Sequence, residues 1–254
     1  MKNILQYTTR IILFFTLGIL IMWGGAGSEF NFHRLITGIP QIAEFAQRMI
    51  PPDFSITQTI VKATLETIQI ALFGTFLSAI GSLFLGICAA TNISPKWLTS
   101  ITKSLLGILR GIPLIILALL FVSTVGLGPF PGVLALALHS TGMLGKFYAE
   151  AIENAQPAPL EALRSTGASW LQRMRFGIVT QVAPDLVRDT LFRFELNLRD
   201  SLILGLVGAG GIGLYIQLYA RSFQFQRVSV LTLVVILMVI TIEQASASIR
   251  RKLR

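Results

Sequence analysis

The sequence predicts an all-α protein that crosses a membrane six times. Three observations carry this. Of the 254 residues, 53% are hydrophobic and only 13% are charged, against roughly 25% charged in an ordinary soluble domain, so too little polar surface exists to cover a soluble body. Uncharged runs recur at lengths near the roughly 20 helical residues that cross a bilayer core. Lys and Arg gather on alternate sides of those runs. In hydrocarbon only helices or closed barrels satisfy their backbone hydrogen bonds, and runs this continuous read as helices.

The first expected span is residues 11 to 28, with "IILFFTLGILIMW" as its core. Lys2 and Arg10 precede it as they would in a signal peptide, but no clear small-x-small cleavage site follows. An uncleaved span is expected, followed by an extramembrane loop, which together make a first region of residues 1–55. A core of residues 56–254 follows. Its first span is residues 67 to 95, ended by Pro95. Residues 111 to 145 are uncharged but too long for one crossing, and "GLGPFPG" at 126 to 132 interrupts them with turn formers. Two helices are expected there, about 100 to 123 and 130 to 149. A fifth segment, about 180 to 205, is apolar but studded with charge. The sixth is about 226 to 248.

An even number of spans puts both termini on one side, and the cytoplasmic side is the one rich in Lys and Arg. With the N-terminus inside, the inner set is Lys2, Arg10, Lys96, Lys103, Arg164, Arg173, Arg175, Arg250, Arg251, Lys252 and Arg254; the outer loops hold only Arg34, Arg48, Arg221 and Arg227. The net charge of +9 therefore reads as topology, with "RRKLR" near anionic headgroups, rather than as a nucleic-acid footprint. Cys88 alone makes no disulfide framework, and His33 and His139 stand too far apart in the chain for metal-ligand spacing. No metal or catalytic residue is expected.

"LVGAGGIG" at 206 to 213 contains G-x-G-x-x-G, but it follows a membrane helix rather than a buried strand, and the next acidic residue is Glu243. A dinucleotide site needs the strand and a nearer acid. Gly208, Gly210, Gly211 and Gly213, with Gly205, are read instead as a break between the fifth and sixth crossings that permits sharp turns and close helix approach.

The longest inner stretch is 150 to 178, "EAIENAQPAPLEALRSTGASWLQRMRFGI". Pro159 suits the first turn of a helix, and Leu160, Ala162 and Leu163 suggest a small apolar face. Gly167 can take the left-handed conformation that ends a helix, and Ser169 with Gln172 makes a capping box for the next. Either a solvated connection or a rigid helix shown to a partner follows from these signals.

"EALRSTGA" resembles the EAA motif of ABC importer permeases, E-A-A, three residues, G, nine residues, I-x-L-P. Glu161, Ala162 and Gly167 match; Leu163 replaces the third residue, Gly177 stands where Ile is usual, and Val179 and Thr180 stand for Leu-Pro, with Pro184 following. "LETIQIALFGTFLSAI" (65 to 80), "LRGIPLIILALLFV" (109 to 122), "FRFELNLRDSLILGLVGAGGIG" (192 to 213) and "ASASIRRKL" are similar to the phosphonate and phosphite permeases of that superfamily. The resemblance spans about residues 60 to 254. It implies a type I importer permease fold and a subunit that passes a phosphonate-type oxyanion inward by alternating access, in a bacterial inner membrane. It further implies a second permease subunit, most simply a homodimer, two cytoplasmic ATPase subunits, and a periplasmic or lipid-anchored binding protein. Glu161, Ala162, Leu163 and Gly167, on a coupling helix at about 157–172, would engage the ATPase. The chain has no G-x-x-x-x-G-K-[ST], so ATP and Mg would belong to the partners and no cofactor to this chain.

Ionisable groups within spans are costly and need partners or a water path. Asp189 and Arg193, and Glu195 and Arg199, are each four apart with the acid first, the favourable order on one helix face. Either these pairs only make insertion tolerable, or Arg193, Glu195, Asn197 and Arg199 line the translocation path, where a guanidinium matches an oxyanion and a nearby carboxylate lets it leave. Arg110, beside Gly111 and Pro113, is a second path candidate or a snorkelling side chain. Lys62 and Glu66 are expected to pair and Lys146 to snorkel. His139 either donates to the path or is a satisfied packing histidine. An importer of another small solute, or a polytopic membrane enzyme, are the alternatives.

Overall fold

The computed structural model describes residues 2–252. Arg254 and the side chain of Lys2, both in the expected inner basic set, lie outside the described residues. Among these residues every regular element is helical. The chain forms two compact units, Met1–Ile50 and Pro51–Arg254.

In the first unit, α1 (Lys2–Gly27) is apolar from Arg10 to Gly27 and none of that stretch is buried. The stretch expected as a loop contains a second helix, α2 (Phe32–Arg48), whose N-cap Asn31 accepts the Arg34 N–H at 3.1 Å.

The second unit opens with a 3-10 turn (Phe54–Ile56) that runs into α3 (Thr57–Ala89). The helix thus begins ten residues before the expected uncharged run, because Lys62 and Glu66 sit in its first turns rather than outside it. Pro95 does not stop it: α3 ends at Ala89, and Pro95 caps the start of α4 (Lys96–Gly111). The expected single helix over about 100 to 123 is two. α4 and α5 (Leu114–Val125) meet at Ile112–Pro113 with an 83° bend. Proline lacks the N–H a continuing helix needs and pushes the residue before it out of the helical region, and Ile112 is extended at ψ 121.

Gly126 and Gly128, at φ +97 and +130, make the turn into α6 (Pro129–Glu153). Then come α7 (Pro157–Ser165) and α8 (Trp170–Gln172), the latter continuing through π-helical Arg173–Val179 into α9 (Thr180–Gly205). α10 (Gly211–Arg221) and α11 (Phe225–Lys252) complete the chain.

α6 is the hub: it packs on α3 along its length and also on α4, α5 and α9. Small residues allow that approach. A methyl group on Gly74 would stand 2.9 Å from the Leu136 Cβ, and one on Gly86 would stand 2.8 Å from the Tyr148 Cβ. α3, α9, α10 and α11 share a second apolar core around Ala63, Leu198, Ile212 and Val230.

Among the described residues three helices, α1, α3 and α11, are long and apolar enough to span a membrane by themselves, and α4 with α5 adds a fourth if the bent pair counts as one span. α6 and α9, of 25 and 26 residues, have the length at about 1.5 Å per residue but not that apolar composition. They are interior helices, and polar groups such as Ser140 and Asn197 meet other helices instead of lipid.

Candidate coupling surface and charged helix

α7 is held by its ends and leaves one face open. Pro157 occupies its first position, where a missing N–H costs nothing. Just before it, the Gln156 N–H donates to the Gln181 side chain at 2.9 Å. At its other end Gly167, at φ +77, closes a Schellman motif: the Gly167 N–H donates to the Arg164 carbonyl at 3.1 Å and the Ala168 N–H to the Leu163 carbonyl at 3.1 Å. The expected stretch of about 157–172 is therefore two helices meeting at this reversal. Ser169 then starts α8 with a full capping box, its N–H donating to Gln172 Oε1 at 2.8 Å while its hydroxyl accepts the Gln172 N–H.

Leu160 and Leu163 sit on Gly177 in the π-helical stretch; a methyl group there would lie 2.7 Å from Leu160 Cδ1 and 3.2 Å from Leu163 Cδ1. This explains why glycine replaces the usual isoleucine of the motif. Glu161 and Ala162 are exposed, so Ala162 does not belong to the apolar face expected for it. Pro184, inside α9, leaves the Thr180 carbonyl without its usual helical donor.

α9 carries the charged residues, and their partners differ from those expected. Arg193 and Asn197 are 4% and 0% exposed. Arg193 Nε donates to Ser140 Oγ at 2.9 Å, and another guanidinium nitrogen meets Asp200 Oδ2 at 3.2 Å. Ser140 donates to Asn197 Oδ1 at 2.8 Å, and the Asn197 amide donates to Thr75 Oγ1 at 2.8 Å. Thr75 in turn donates to the Ala71 carbonyl. A continuous hydrogen-bonded chain thus joins α9, α6 and α3.

The expected Asp189–Arg193 and Glu195–Arg199 pairs do not form. Asp189 meets Arg188 at 3.3 Å, buried Glu195 accepts from Arg250, and Arg199 meets Glu243 at 3.1 Å. Packed neighbouring helices offer partners that compete with those one turn away. Arg110, Glu195 and Arg199 lie outside the Arg193 chain. Asp200, Ser140 and Thr75 complete that chain, and the sequence reading omits all three. Asp200 did have a signal, standing two turns from Arg193 on one helix face.

Arg110 is exposed in the last turn of α4. It lines a cavity of about 200 Å³ between α4 and α6 with Lys103, Lys146, Glu150 and Glu153. Lys146 pairs with Glu150 at 3.5 Å instead of snorkelling free. At the last residue of α6 burial pushes the Glu153 carboxyl up, but the Thr91 N–H at 2.8 Å and Lys103 at 2.9 Å outweigh it and hold the group below the usual carboxylate range. His139 is half-buried, and its Nδ1 has no hydrogen-bond partner among the described residues.

At the far end of α9 the chain reverses through Leu206–Gly210. Gly208 and Gly210 have φ +89 and +81, while Gly211 and Gly213 lie in the first turn of α10. Glu66 does not pair with Lys62 among the described residues. Its carboxylate accepts the Gly211 N–H at 2.8 Å, and Thr67 accepts the Ile212 N–H at 2.8 Å, so α3 caps α10. The Gly128 N–H donates to the Gly208 carbonyl at 3.0 Å, fixing the α5–α6 turn to the same reversal.

A family model for the binding-protein-dependent transport system inner membrane component matches residues 82–254. The phosphite transport system permease protein PtxC of Stutzerimonas stutzeri is 39% identical over 218 residues, 85% of this chain and 79% of that protein. The phosphate-import permease protein PhnE of Mycolicibacterium smegmatis is also 39% identical over 218 residues, 85% of this chain but 41% of that protein. A chain of the MetNI methionine ABC transporter in an inward-facing conformation superposes with a TM-score of 0.71 at 20% identity, covering 80% of this chain and 99% of its own. That likeness concerns the fold, the sequence match concerns descent, and together they place the chain in the family of binding-protein-dependent transport system inner membrane components, as a permease subunit with the type I ABC importer fold.

Proposed function

We propose that this chain forms the membrane path of an ATP-driven importer for phosphite- or phosphonate-type oxyanions, taking substrate from a periplasmic or lipid-anchored binding protein into the cytoplasm by alternating access. The substrate class is supported by the names of the relatives, PtxC among them. Two copies pair in the inner membrane with their termini on the cytoplasmic side. Two partner ATPase subunits bind ATP and Mg, and hydrolysis is theirs.

The observation that carries the coupling role is the seating of α7 on the root of α9. Glu161 and Ala162 face outward while Leu160 and Leu163 rest on Gly177. A subunit that grips Glu161 and Ala162 moves Leu163 against Gly177 and so tilts α9, with Gly167 holding the end of α7 in place. α9 then carries its hydrogen-bonded chain to α3 and α6, and at its far end the reversal through Gly208, Gly210, Gly211 and Gly213. A path formed between two copies needs side chains that a single copy leaves exposed. Arg110 and Arg199 meet that requirement and are assigned to the oxyanion. Arg193, Glu195 and Asn197, buried within one copy, serve the path by fixing the helices that border it.

The test is Glu161→Lys in the importer reconstituted with its ATPase and binding protein. Uptake and binding-protein-stimulated ATP hydrolysis both fall to background while the permease remains folded, since the side chain is exposed. Undiminished uptake rejects the coupling role. Unchanged uptake by Arg110→Ala and Arg199→Ala together rejects the path assignment. Binding of phosphite, methylphosphonate and phosphate to the partner binding protein settles the substrate class.

A further inference from the structure

α2 is amphipathic, and its apolar arc is exposed. At 100° per residue, Phe32, Leu35, Ile36, Ile39 and Ile42 fall on one face with Ala43 and Ala46, while His33, Thr37, Gln41, Glu44 and Arg48 fall on the other. The five large apolar side chains are 52 to 64% exposed, and no residue of α2 is buried. Glu44 and Arg48 pair along the polar side at 2.7 Å. Phe45 alone among the large apolar residues stands off the apolar arc.

The end of α1 decides what covers this face. α1 is apolar to Gly27 and closes in a Schellman motif: the Phe30 N–H donates to the Gly25 carbonyl at 3.2 Å, the Glu29 N–H to the Ala26 carbonyl at 3.3 Å, and Glu29 takes φ +50. α2 starts at Phe32, so only Ser28–Asn31 connect the helices, a reach of at most about 14 Å. Trp23 and Phe30, 76% and 70% exposed, bracket the turn in the manner of an aromatic belt at a membrane–water boundary. A helix released that close to the end of a span, with an unbroken apolar arc and a charged opposite face, has lipid within reach along its length.

We propose that α2 lies in the plane of the bilayer interface, at the end of the first span opposite the N-terminus, with Leu35, Ile36, Ile39 and Ile42 inserted among the acyl chains and Thr37, Gln41, Glu44 and Arg48 in water. Such a helix anchors by buried apolar area. It would hold the first span at a set depth and rotation, because the short connection is hydrogen-bonded at both ends, to α1 through Ser28, Glu29 and Phe30 and to α2 through the Asn31 cap. The inference rests on α1 crossing the membrane and not on what the importer carries.

Single cysteines in a Cys88→Ser background carry nitroxide labels in the full chain, assembled with its partner subunits in vesicles of phosphatidylethanolamine and phosphatidylglycerol. A label at Phe14 marks the bilayer interior. Labels at Leu35 and Ile39 are expected to collide more with dissolved oxygen than with an aqueous nickel chelate, and labels at Thr37 and Gln41 show the reverse. Nickel access at Leu35 and Ile39 overturns the proposal by placing both faces in water. Shielding of both positions from both reagents also overturns it, because protein then covers the face. An aqueous label at Phe14 instead removes the premise that α1 spans. Agreement between Leu35 and Ile39 guards against local distortion by one label.

Discussion

α9 presents charge on two faces that are built differently. Toward α3 and α6, Arg193, Asn197 and Asp200 recur at one-turn intervals and enter a chain through Ser140 and Thr75 whose members are almost wholly buried except at the Asp200 end. Toward α11, Glu195 and Arg199 meet Arg250 and Glu243 as separate ion pairs, and the Arg199 pair is about half exposed on both sides. In a low-dielectric interior an unpaired polar atom is expensive, so a buried network must be complete. At an accessible surface water replaces a lost partner, and ion pairs contribute little. The inner face thus specifies how α3, α6 and α9 assemble. The outer face can exchange partners, as a permease must when its helices move.

Arg193→Ala breaks this comparison most severely. It removes the hydrogen bond that Ser140 accepts, although Ser140 still donates to Asn197, and it leaves Asp200 without its guanidinium. With the Asp200 side chain 28% exposed, the loss should sit at the low end of the about 3–5 kcal/mol of a fully buried pair. Thermal or denaturant unfolding in detergent should show that loss, with poor membrane yield. A shift no larger than that of Arg199→Ala would mean the inner face is not structural. Arg250→Ala comes next. It leaves Glu195, 8% exposed, without its guanidinium, and the loss of a hydrogen bond to a buried charge is about 2 kcal/mol. Restoration of stability by Glu195→Gln in the Arg250→Ala background would identify the unpaired charge as the cause.

The two faces also divide what the sequence could reveal. Local chemistry was legible: Gly167, Ser169 and Gln172 act within five residues of one another, and the helix end and capping box occur where their types demand. The apolar runs of α1, α3 and α11 were legible because hydropathy is carried by each run alone and needs no knowledge of a partner. Partner choice was not. Glu195 and Arg199 suit each other by spacing, yet their partners lie 55 and 44 residues away, and Glu66 caps a helix 145 residues on. Periodicity places a residue on a face but does not say which helix packs there. Pro113 is legible as a residue that opens the backbone beside Arg110, but not as the full α4–α5 bend, and the helical repeat of Leu35, Ile36, Ile39 and Ile42 goes unread in a segment taken for a loop.

Smaller effects sharpen the outer side. Arg199→Ala and Glu243→Ala should each cost about 0.5 kcal/mol or less, the usual worth of an exposed pair, and the double variant should match the sum within error. A coupling above about 1 kcal/mol would show that this pair is shielded in the assembled protein. In that case unfolding of the reconstituted permease, rather than the detergent-solubilised chain, is where the coupling should appear.

The smallest effect lies at the other end of α11 and depends on pH. Asp53 accepts hydrogen bonds from Ser55, through side chain and backbone, and from Arg227 at 3.0 Å, which hold its pKa at about 2 against an ordinary 3.8. A carboxyl depressed in the folded state stabilises it above the unfolded pKa, and that contribution is lost as pH falls through the folded one. Native protein should therefore exceed Asp53→Asn in stability at pH 5, and the gap should close between about pH 4 and pH 2. The Asp53 side chain is about a third exposed and its Arg227 partner likewise, so water screens the pair and the gap at pH 5 should be smaller than any loss on the inner face of α9. A gap that persists unchanged at pH 2 would mean that the Asn side chain fails for reasons of geometry, and that charge at Asp53 does not tether α11 to the start of α3.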